Sequence, residues 1–229
     1  MGLLKTTLIV LVVLILLIWI INLLTKESKT LTSLSDATET QKIEANSVPS
    51  SSTGNNYTYS MWFYIQDWNY KYGEKKVMLQ RGPGAPAVIL GPTENDLRVN
   101  IACYNSSGGG QIIFPCEVKN VPLQKWVNVI ISLYGRSLDI YIDGKLVKTC
   151  VLPGPAKTYT NQPIYVTPDG GFSGWTSNIR YWTTAKNPQE AYNIYKKGYG
   201  GSILGNLFNK YRIKIAFLED NKEKAAIKI

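Results

Sequence analysis

The sequence predicts an all-β fold, a two-sheet antiparallel jelly-roll sandwich, preceded by one transmembrane α-helix. Three observations lead to this prediction. Residues 8–24 form one long apolar run, apolar residues recur at every second position in several short segments after residue 56, and turn-forming residues separate those segments. An apolar run of this length favours a membrane-spanning helix, whereas a period of two favours half-buried strands.

The alternation is clearest in three segments, each of which would place its apolar residues on one face of a strand. The first carries Tyr57, Tyr59, Met61, Phe63 and Ile65; the second carries Val127, Val129, Ile131 and Leu133; the third carries Leu138, Ile140 and Ile142. Many short strands with a single helix pattern are typical of a β-sandwich.

Local signals also predict one hairpin turn and one helix. The pair Asp143-Gly144 separates two strand patterns and predicts a type I′ turn, because both central residues of that turn need a positive φ. A short helix is predicted to begin after Asn187, where Glu190 would complete a capping box. It is predicted to end at Gly198, since glycine favours the left-handed conformation that terminates helices.

We predict that residues 1–24 are a retained membrane anchor. The side chains expected to contact lipid include Leu8, Leu11, Leu14, Leu17, Trp19 and Leu24. A cleaved signal peptide is the alternative, but its apolar region would be shorter and would end at a small-residue site, and the following letters LLTKESK offer none. Flanking charges do not fix the orientation in the membrane. The first residues match a myristoylation pattern, and whether Gly2 carries that lipid is left open.

Three further regions follow the anchor. Residues 25–54 are rich in Ser, Thr and charged residues without apolar periodicity, which predicts a flexible stalk averaging ~30 Å end to end. Residues 55–205 are assigned to the jelly-roll domain and residues 206–229 to a C-terminal β-hairpin extension. Charges in residues 1–54 cancel, so the whole net charge of +9 lies in the remainder of the chain. A basic domain favours anionic partners, although scattered lysines equally fit a role in solubility.

The three cysteines leave the disulfide state open, because an odd number fits no complete framework. Cys103 and Cys116 are the candidates for a bridge between two neighbouring strands. Cys150, at the end of a strand pattern, is expected to be a small buried apolar residue.

The composition argues against an enzyme. The chain has no histidine, which removes the usual general base, the imidazole metal ligand and the Ser-His-Asp triad. Spacings typical of zinc sites and phosphate-binding loops do not occur. We therefore expect no catalytic residue, no metal and no cofactor. Calcium would require loop carboxylates to converge; the candidates, which we interpret as solvated, are Asp67, Glu94, Asp96 and Asp169.

One loop combines aromatic, amide and carboxylate groups, and we identify it as a candidate contact site for a glycan or a protein. It contains Asp67, Trp68, Asn69, Tyr70 and Tyr72. Sugars stack on exposed aromatic faces, and Trp and Tyr dominate the energetics of protein interfaces. Burial of these rings under a neighbouring loop is the third alternative. No basic cluster interleaves with aromatic residues along one strand, so we expect no nucleic acid partner.

Four segments resemble those of laminin-G-like, concanavalin A-like jelly-roll domains, in the order in which that family has them. They are YSMWFYI from Tyr59, the hairpin WVNVIISL and LDIYIDGKLV from Trp126, GFSGWTSNIRYW from Gly171, and NPQEAYNIYKKG from Asn187. The resemblance covers about residues 57–200 and implies the sandwich fold.

The order of anchor, stalk, jelly roll and hairpin resembles that of proteins of large DNA viruses that infect algae. This resemblance implies a minor capsid component that links an internal viral membrane to the capsid shell. Its partners would be the lipid membrane and other capsid or membrane proteins, and its location the virion's internal membrane or the inner capsid surface. The alternative is a membrane-anchored, glycan-binding, lectin-like protein.

Overall fold

In a computed structural model of the chain, two antiparallel β-sheets pack face to face around one main hydrophobic core. The structure describes residues 12–13, 15–16, 29–49, 55–105, 108 and 110–200, and the backbone of residues 214–219 and 222–228. The predicted all-β sandwich is therefore confirmed.

Within the described residues, the larger sheet has seven strands and the smaller sheet has six. The larger sheet has the order β1 (Lys29–Thr32), β13 (Ser173–Trp182), β4 (Tyr57–Asp67), β9 (Trp126–Tyr134), β10 (Ser137–Ile142) and β11 (Lys145–Val151), and β2 (Ser35–Asp36) also pairs with β13. The smaller sheet has the order β3 (Gln41–Ile43), β12 (Ile164–Val166), β5 (Lys76–Arg81), β6 (Ala87–Leu90), β7 (Leu97–Tyr104) and β8 (Gln111–Val118). A separate hairpin consists of β14 (Lys214–Glu219) and β15 (Lys222–Lys228), within the segment for which the sequence predicts a hairpin.

The three predicted alternating segments are strands β4, β9 and β10. Nearly all of their alternating apolar residues are buried in the main core, and Ile142 packs against it. The opposite face of β9 is also covered, because a helix, α1 (Pro188–Lys196), packs Ala191 and Ile194 against Ile130. Strand β9 is thus buried on both faces at the centre of the larger sheet.

The predicted turn and helix cap are both confirmed. Asp143 and Gly144 have φ values of 49° and 74° between β10 and β11. The Asn187 side chain accepts a hydrogen bond from the Glu190 backbone N–H, and the Glu190 carboxylate accepts one from the Asn187 N–H. These two bonds satisfy backbone donors that the first turn of a helix otherwise leaves unpaired.

The prediction of a flexible stalk over residues 25–54 is wrong for residues 29–49. Strands β1 and β2 pair with β13 in the larger sheet, and β3 pairs with β12 in the smaller sheet. Ala37, Ile43 and Val48 from this segment are buried in the main core. The N-terminal segment therefore crosses from one sheet to the other and belongs to the folded domain.

The candidate bridge between Cys103 and Cys116 does not form, because the disulfide joins Cys116 to Cys150 and Cys103 is a buried free thiol. The expectation that Cys150 is a small buried apolar residue is wrong, because its sulfur belongs to this disulfide. Strand register explains the difference: Cys103 pairs with Ile112 and Cys116 pairs with Val99, so the two cysteines are far apart along the ladder. Cys116 and Cys150, on strands β8 and β11, have Cα atoms 6.2 Å apart, a distance that a disulfide spans.

The disulfide and the N-terminal segment close the two sides of the sandwich. Strands β8 and β11 are the last strands of their sheets on one side, and the disulfide joins them. Strands β1 and β3 are the last strands on the other side, and the chain itself connects them. Both open edges of the sandwich are therefore held covalently.

The predicted membrane anchor lies almost wholly outside the described residues. Its described parts, residues 12–13 and 15–16, are helical. In the part of the chain that the structure describes, no helix is long and apolar enough to cross a membrane. The anchor, with its predicted lipid-facing residues from Leu8 to Leu24, stays a prediction.

Candidate functional site

The predicted contact loop after β4 is only partly available for binding. Trp68 packs against the core, its indole N–H donates to the Thr93 carbonyl at 3.1 Å, and the Lys76 ammonium lies 4.6 Å from its ring centroid. Lys76 is 1% exposed, and burial lowers the pKa of its ammonium. The Trp68 ring thus helps to cover a buried cation, so its first role is structural.

The rest of this loop is tied to the turn before β13. The Tyr70 hydroxyl donates to the Gly170 carbonyl at 3.1 Å, and the Lys71 ammonium donates to the Asp169 carbonyl. Tyr72 is 60% exposed, and Asp67 and Asn69 are exposed as well. The structure therefore brings together the predicted residues, but among the five only Asp67, Asn69 and Tyr72 are exposed.

Two of the loop carboxylates considered for calcium have a basic partner. Lys119 forms ion pairs with Asp96 and, at 3.9 Å, with Glu94. The hydrogen bond from Lys119 holds the pKa of Asp96 below its usual value. Among the described residues, no group of three or more acidic, Cys or His side chains is placed to hold a metal ion.

Replacing Trp68 by Ala is expected to lower the free energy of unfolding by about 2 kcal/mol, because a largely packed indole and its hydrogen bond are lost. Tyr72→Ala, in the same loop, is the matched control and is expected to change stability by less than about 0.5 kcal/mol. Urea denaturation of the two variants measures the difference. Equal losses would contradict a structural role for Trp68.

A row of aromatic side chains crosses the outer face of the larger sheet. Trp175 of β13 pairs directly with Tyr64 of β4, and Tyr64 pairs directly with Trp126 of β9. Their ring centroids are 5.5 Å and 5.9 Å apart. Tyr199, just after α1, stacks on Trp126 at 4.6 Å with an interplanar angle of 8°. We call these four residues the aromatic face.

Backbone geometry holds this row together. At Gly174, next to Trp175, a Cβ atom would lie 1.9 Å from the Tyr64 carbonyl oxygen, so only glycine allows β13 to approach β4 this closely. The Ser177 hydroxyl donates to the Tyr199 carbonyl at 2.8 Å and fixes the chain that carries the last ring. Trp175 remains 38% exposed, so the row is accessible at its outer end.

A groove continues from the aromatic face towards the N-terminal segment. Its volume is about 290 Å³. Its lining residues include Thr30, Thr32, Leu34, Asn178 and Tyr199. Leu34 is 61% exposed, so the groove adds an apolar side chain and several hydroxyls to the aromatic rings. Such a mixture is typical of protein–protein interfaces, which have an aromatic centre and a polar rim.

A second cavity lies at the other end of β4, where that strand begins. Its volume is about 250 Å³, and it is lined by Asn55, Asn56, Tyr57, Tyr59, Arg81, Ala85, Thr158, Tyr159, Thr160 and Tyr181. We call it the Arg81 pocket. The Arg81 guanidinium is buried, with 4% exposure, and donates to the carbonyls of Thr160 at 2.8 Å and Gln162 at 3.2 Å.

Three buried tyrosines surround this guanidinium. Burial raises the pKa of Tyr57, Tyr59 and Tyr181 above the usual value for a phenol, although the charge of Arg81 opposes the rise at each one. All three hydroxyls therefore stay protonated at neutral pH. The Arg81 pocket combines a cation with neutral hydrogen-bond donors, an arrangement that attracts anions.

Sequence reasoning missed the Arg81 pocket and the order of the aromatic row. The sequence does show that Tyr64 and Trp126 are aromatic at positions where the alternation predicts outward-facing polar residues. Their alignment with Trp175 depends on strand register, which no local signal in the sequence specifies.

A family profile described as the concanavalin A-like lectin/glucanases superfamily matches residues 36–191. The match begins in β2 and so includes most of the N-terminal segment that joins the two sheets. No curated protein matches the chain.

Solved structures give matches that show the fold alone. The binding domain of botulinum neurotoxin DC, in complex with rat synaptotagmin II, aligns with a TM-score of 0.50 and 14% identity over 62% of this chain and 35% of that chain. A mutant of HCR/D aligns with a TM-score of 0.52 and 10% identity over 75% of this chain and 44% of that chain. The chain thus spans less than half the length of the structures it matches.

Proposed function

We propose that the chain, which belongs to the concanavalin A-like lectin/glucanases superfamily, is a membrane-anchored interaction protein that binds a neighbouring protein without catalysis. The aromatic face is the contact surface. A sheet face that meets water normally carries polar side chains. Here three adjacent strands instead place Trp175, Tyr64 and Trp126 in one row. This row is the observation that carries the proposal, because buried Trp and Tyr dominate the binding energy of protein interfaces.

The corrected N-terminal boundary changes how the domain relates to a membrane. The predicted anchor ends at residue 24 and β1 begins at Lys29. Even a fully extended connection between these points spans less than about 20 Å. An anchored domain would therefore remain next to the bilayer rather than at the end of a long stalk. Its net positive charge favours anionic headgroups or acidic proteins at that surface.

The narrower form of this proposal is a minor capsid component that links an internal viral membrane to the capsid shell. It rests on the order of anchor, sandwich and hairpin in the sequence. Mass spectrometry of detergent-stripped particles tests it directly. The protein is expected to remain with the particles, and its complete absence from them would contradict the capsid role.

Photo-cross-linking in the native membrane tests the contact surface. A photoreactive phenylalanine at position 175 is expected to cross-link to one neighbouring protein, because that position is the exposed end of the aromatic face. The matched control carries the same group at Tyr134, which is 70% exposed on the same sheet. Cross-links of equal yield from both positions, or from neither, would overturn the proposed surface.

Glycan binding is the second candidate function, and the Arg81 pocket favours it. Apart from Ala85, every residue that lines this pocket carries a side-chain hydrogen-bonding group. Polar groups that converge in a small cavity suit the hydroxyls of a sugar. A glycan array probed with the full-length protein in detergent tests this function. Specific glycan binding that persists after Trp175→Ala would support binding in the Arg81 pocket. An array without binding to any glycan would reject this function.

A further inference from the structure

We propose that the Arg81 pocket binds the carboxylate of an acidic sugar, with the Arg81 guanidinium and the Tyr57 hydroxyl as its donors. The proposal deepens the second candidate function, since it names the ligand class for that pocket. It does not depend on the aromatic face, because the pocket lies at the opposite end of β4 from Tyr64.

Arg81 is a buried cation without an acidic partner. None of the ion pairs formed within the described part of the chain includes it. Its guanidinium donates to two backbone carbonyls and, at 3.4 Å, to the Tyr59 hydroxyl. It also forms a side-chain hydrogen bond with Tyr181. A guanidinium has five N–H donors, so at least one N–H remains for a ligand. Burying a charge is costly unless it is paired, and a ligand carboxylate would provide the counter-charge.

Tyr57 gives a second, independent indication of a ligand. Its side chain lines the pocket and is 3% exposed. Its hydroxyl is buried, and no described residue makes a hydrogen bond with it. Buried hydroxyls are nearly always hydrogen-bonded in native proteins. An acceptor that enters the pocket beside Arg81 would satisfy this donor.

The lining of the pocket favours an acidic sugar over the terminus of a peptide. The polar side chains of Asn55, Asn56, Thr158 and Thr160 also line the pocket. A sugar offers several hydroxyls to these groups, whereas a peptide terminus offers only its carboxylate and backbone amides besides its side chain. The pocket has a volume of about 250 Å³. At about 30 Å³ for each water molecule in the liquid, this is the space of about eight water molecules. Such a space is large enough for one sugar ring.

One wall of the pocket is the ring of Tyr159, which packs against Gly82 because glycine has no side chain. At Gly82, a Cβ atom would lie 2.8 Å from the Tyr159 ring, and its φ of 53° also favours glycine. The Tyr159 hydroxyl donates to the Gln111 side chain at 2.7 Å, and Lys157 donates to the same oxygen at 2.9 Å. This wall adds an aromatic ring and a second positive charge beside the pocket.

The test uses the full-length protein in detergent micelles and isothermal titration calorimetry. N-acetylneuraminic acid and glucuronic acid are the probes, and their methyl esters are the uncharged controls. A short peptide with a free C-terminal carboxylate separates a sugar ligand from a protein ligand. At least one acid is expected to bind saturably. Its ester and the peptide are expected to bind at least about tenfold more weakly, because a hydrogen bond to a charged group is worth that much in affinity.

Tyr57→Phe is the decisive variant, because Arg81 also bonds to two backbone carbonyls and its replacement would disturb the fold. The variant is expected to weaken binding of the acid about tenfold. Its thermal midpoint is expected not to fall, since the lost hydroxyl has no partner within the described chain. The matched control is Tyr72→Phe, at an exposed tyrosine in the loop after β4, and this variant is expected to bind the acid normally.

Four results would overturn the inference: no binding of either acid, equal binding of acid and ester, equal binding of the peptide, or unchanged binding by Tyr57→Phe. A glycan array that shows binding of neutral sugars alone would keep the second candidate function and reject the acidic ligand. Cross-linking from position 175 is expected to be the same in the Tyr57→Phe variant, so the leading function and this inference fail separately.

Discussion

A chain that begins at Asn55 is expected not to fold stably, whereas a chain that begins at Thr25 is expected to retain the folded sandwich. The shorter chain lacks β1, β2 and β3, which pair with β13 and β12 at one side of both sheets. Both β13 and β12 would then be exposed edge strands, which promote aggregation.

The buried residues of the N-terminal segment explain the size of this effect. Ile43 and Val48 are each worth about 1.5–3 kcal/mol when fully buried. Two hydrogen bonds also join Thr167 to the segment. The Thr167 hydroxyl donates to the Glu39 carbonyl at 2.7 Å, and the Thr40 hydroxyl donates to the Thr167 carbonyl at 3.1 Å. With the lost strand pairing, the sum is comparable with the about 5–15 kcal/mol that stabilises a typical domain.

Circular dichroism, thermal unfolding and limited proteolysis of the two chains measure the outcome. The chain from Thr25 is expected to unfold cooperatively and to resist proteolysis. The chain from Asn55 is expected to precipitate or to be degraded rapidly. Similar thermal midpoints for the two chains would show that the segment is a stalk after all. Binding experiments on a soluble fragment should therefore start before Lys29.

Removal of the disulfide is expected to lower the free energy of unfolding by about 3–4 kcal/mol, because a cross-link over this loop length restricts the unfolded chain by that amount. The bonded cysteines, Cys116 and Cys150, are 34 residues apart in sequence. The double variant Cys116→Ala, Cys150→Ala tests this loss without leaving an unpaired thiol from the bridge. The loss of unfolding free energy should be nearly additive with the losses caused by substitutions in β1 and β3, since these strands lie at the other side of the sandwich.

Cys103→Ala is the control for the disulfide experiment. Cys103 is fully buried and not bonded, so its replacement is expected to cost about 1 kcal/mol, as an average core substitution does. Urea denaturation with and without a reductant measures all variants. Addition of reductant should destabilise the native protein and Cys103→Ala but not the double variant. A larger loss from Cys103→Ala than from the double variant would contradict the assigned pairing.

Features specified by neighbouring residues were predictable from the sequence. The alternation in β4 and β9, the positive φ at Asp143 and Gly144, and the capping box at Asn187 all depend on residues within one element. Local propensity and side-chain periodicity are sufficient for such features.

Features that depend on distant strands were not predictable in the same way. Strands β1, β2 and β3 have four, two and three residues, and none is long enough to show an apolar period. Their conformation depends on pairing with strands more than a hundred residues later in the chain. The sequence left the disulfide open for a related reason, because the pairing of Cys116 with Cys150 is set by the order of strands across both sheets.

The candidate sites show the same division. For Trp68 the sequence left a contact role and burial under a neighbouring loop open, and the carbonyl of Thr93 and the ammonium of Lys76 approach it from other strands and loops. Arg81 ends a buried strand, and nothing next to it in sequence indicates that Tyr57 and Tyr181 surround it. The sequence identified aromatic and polar residues that could bind a partner, but the packing of distant strands and loops determines which of them are accessible.

High-resolution imaging of the protein in its native membrane assembly tests whether the aromatic face is the contact surface. Density from another protein is expected to cover Trp175, Tyr64 and Trp126 on the outer face of the larger sheet. The domain is expected to lie within about 20 Å of the bilayer, the reach of the short connection before β1. An aromatic face that is open to solvent in the complete assembly, with the neighbouring protein on another surface, would contradict this contact surface.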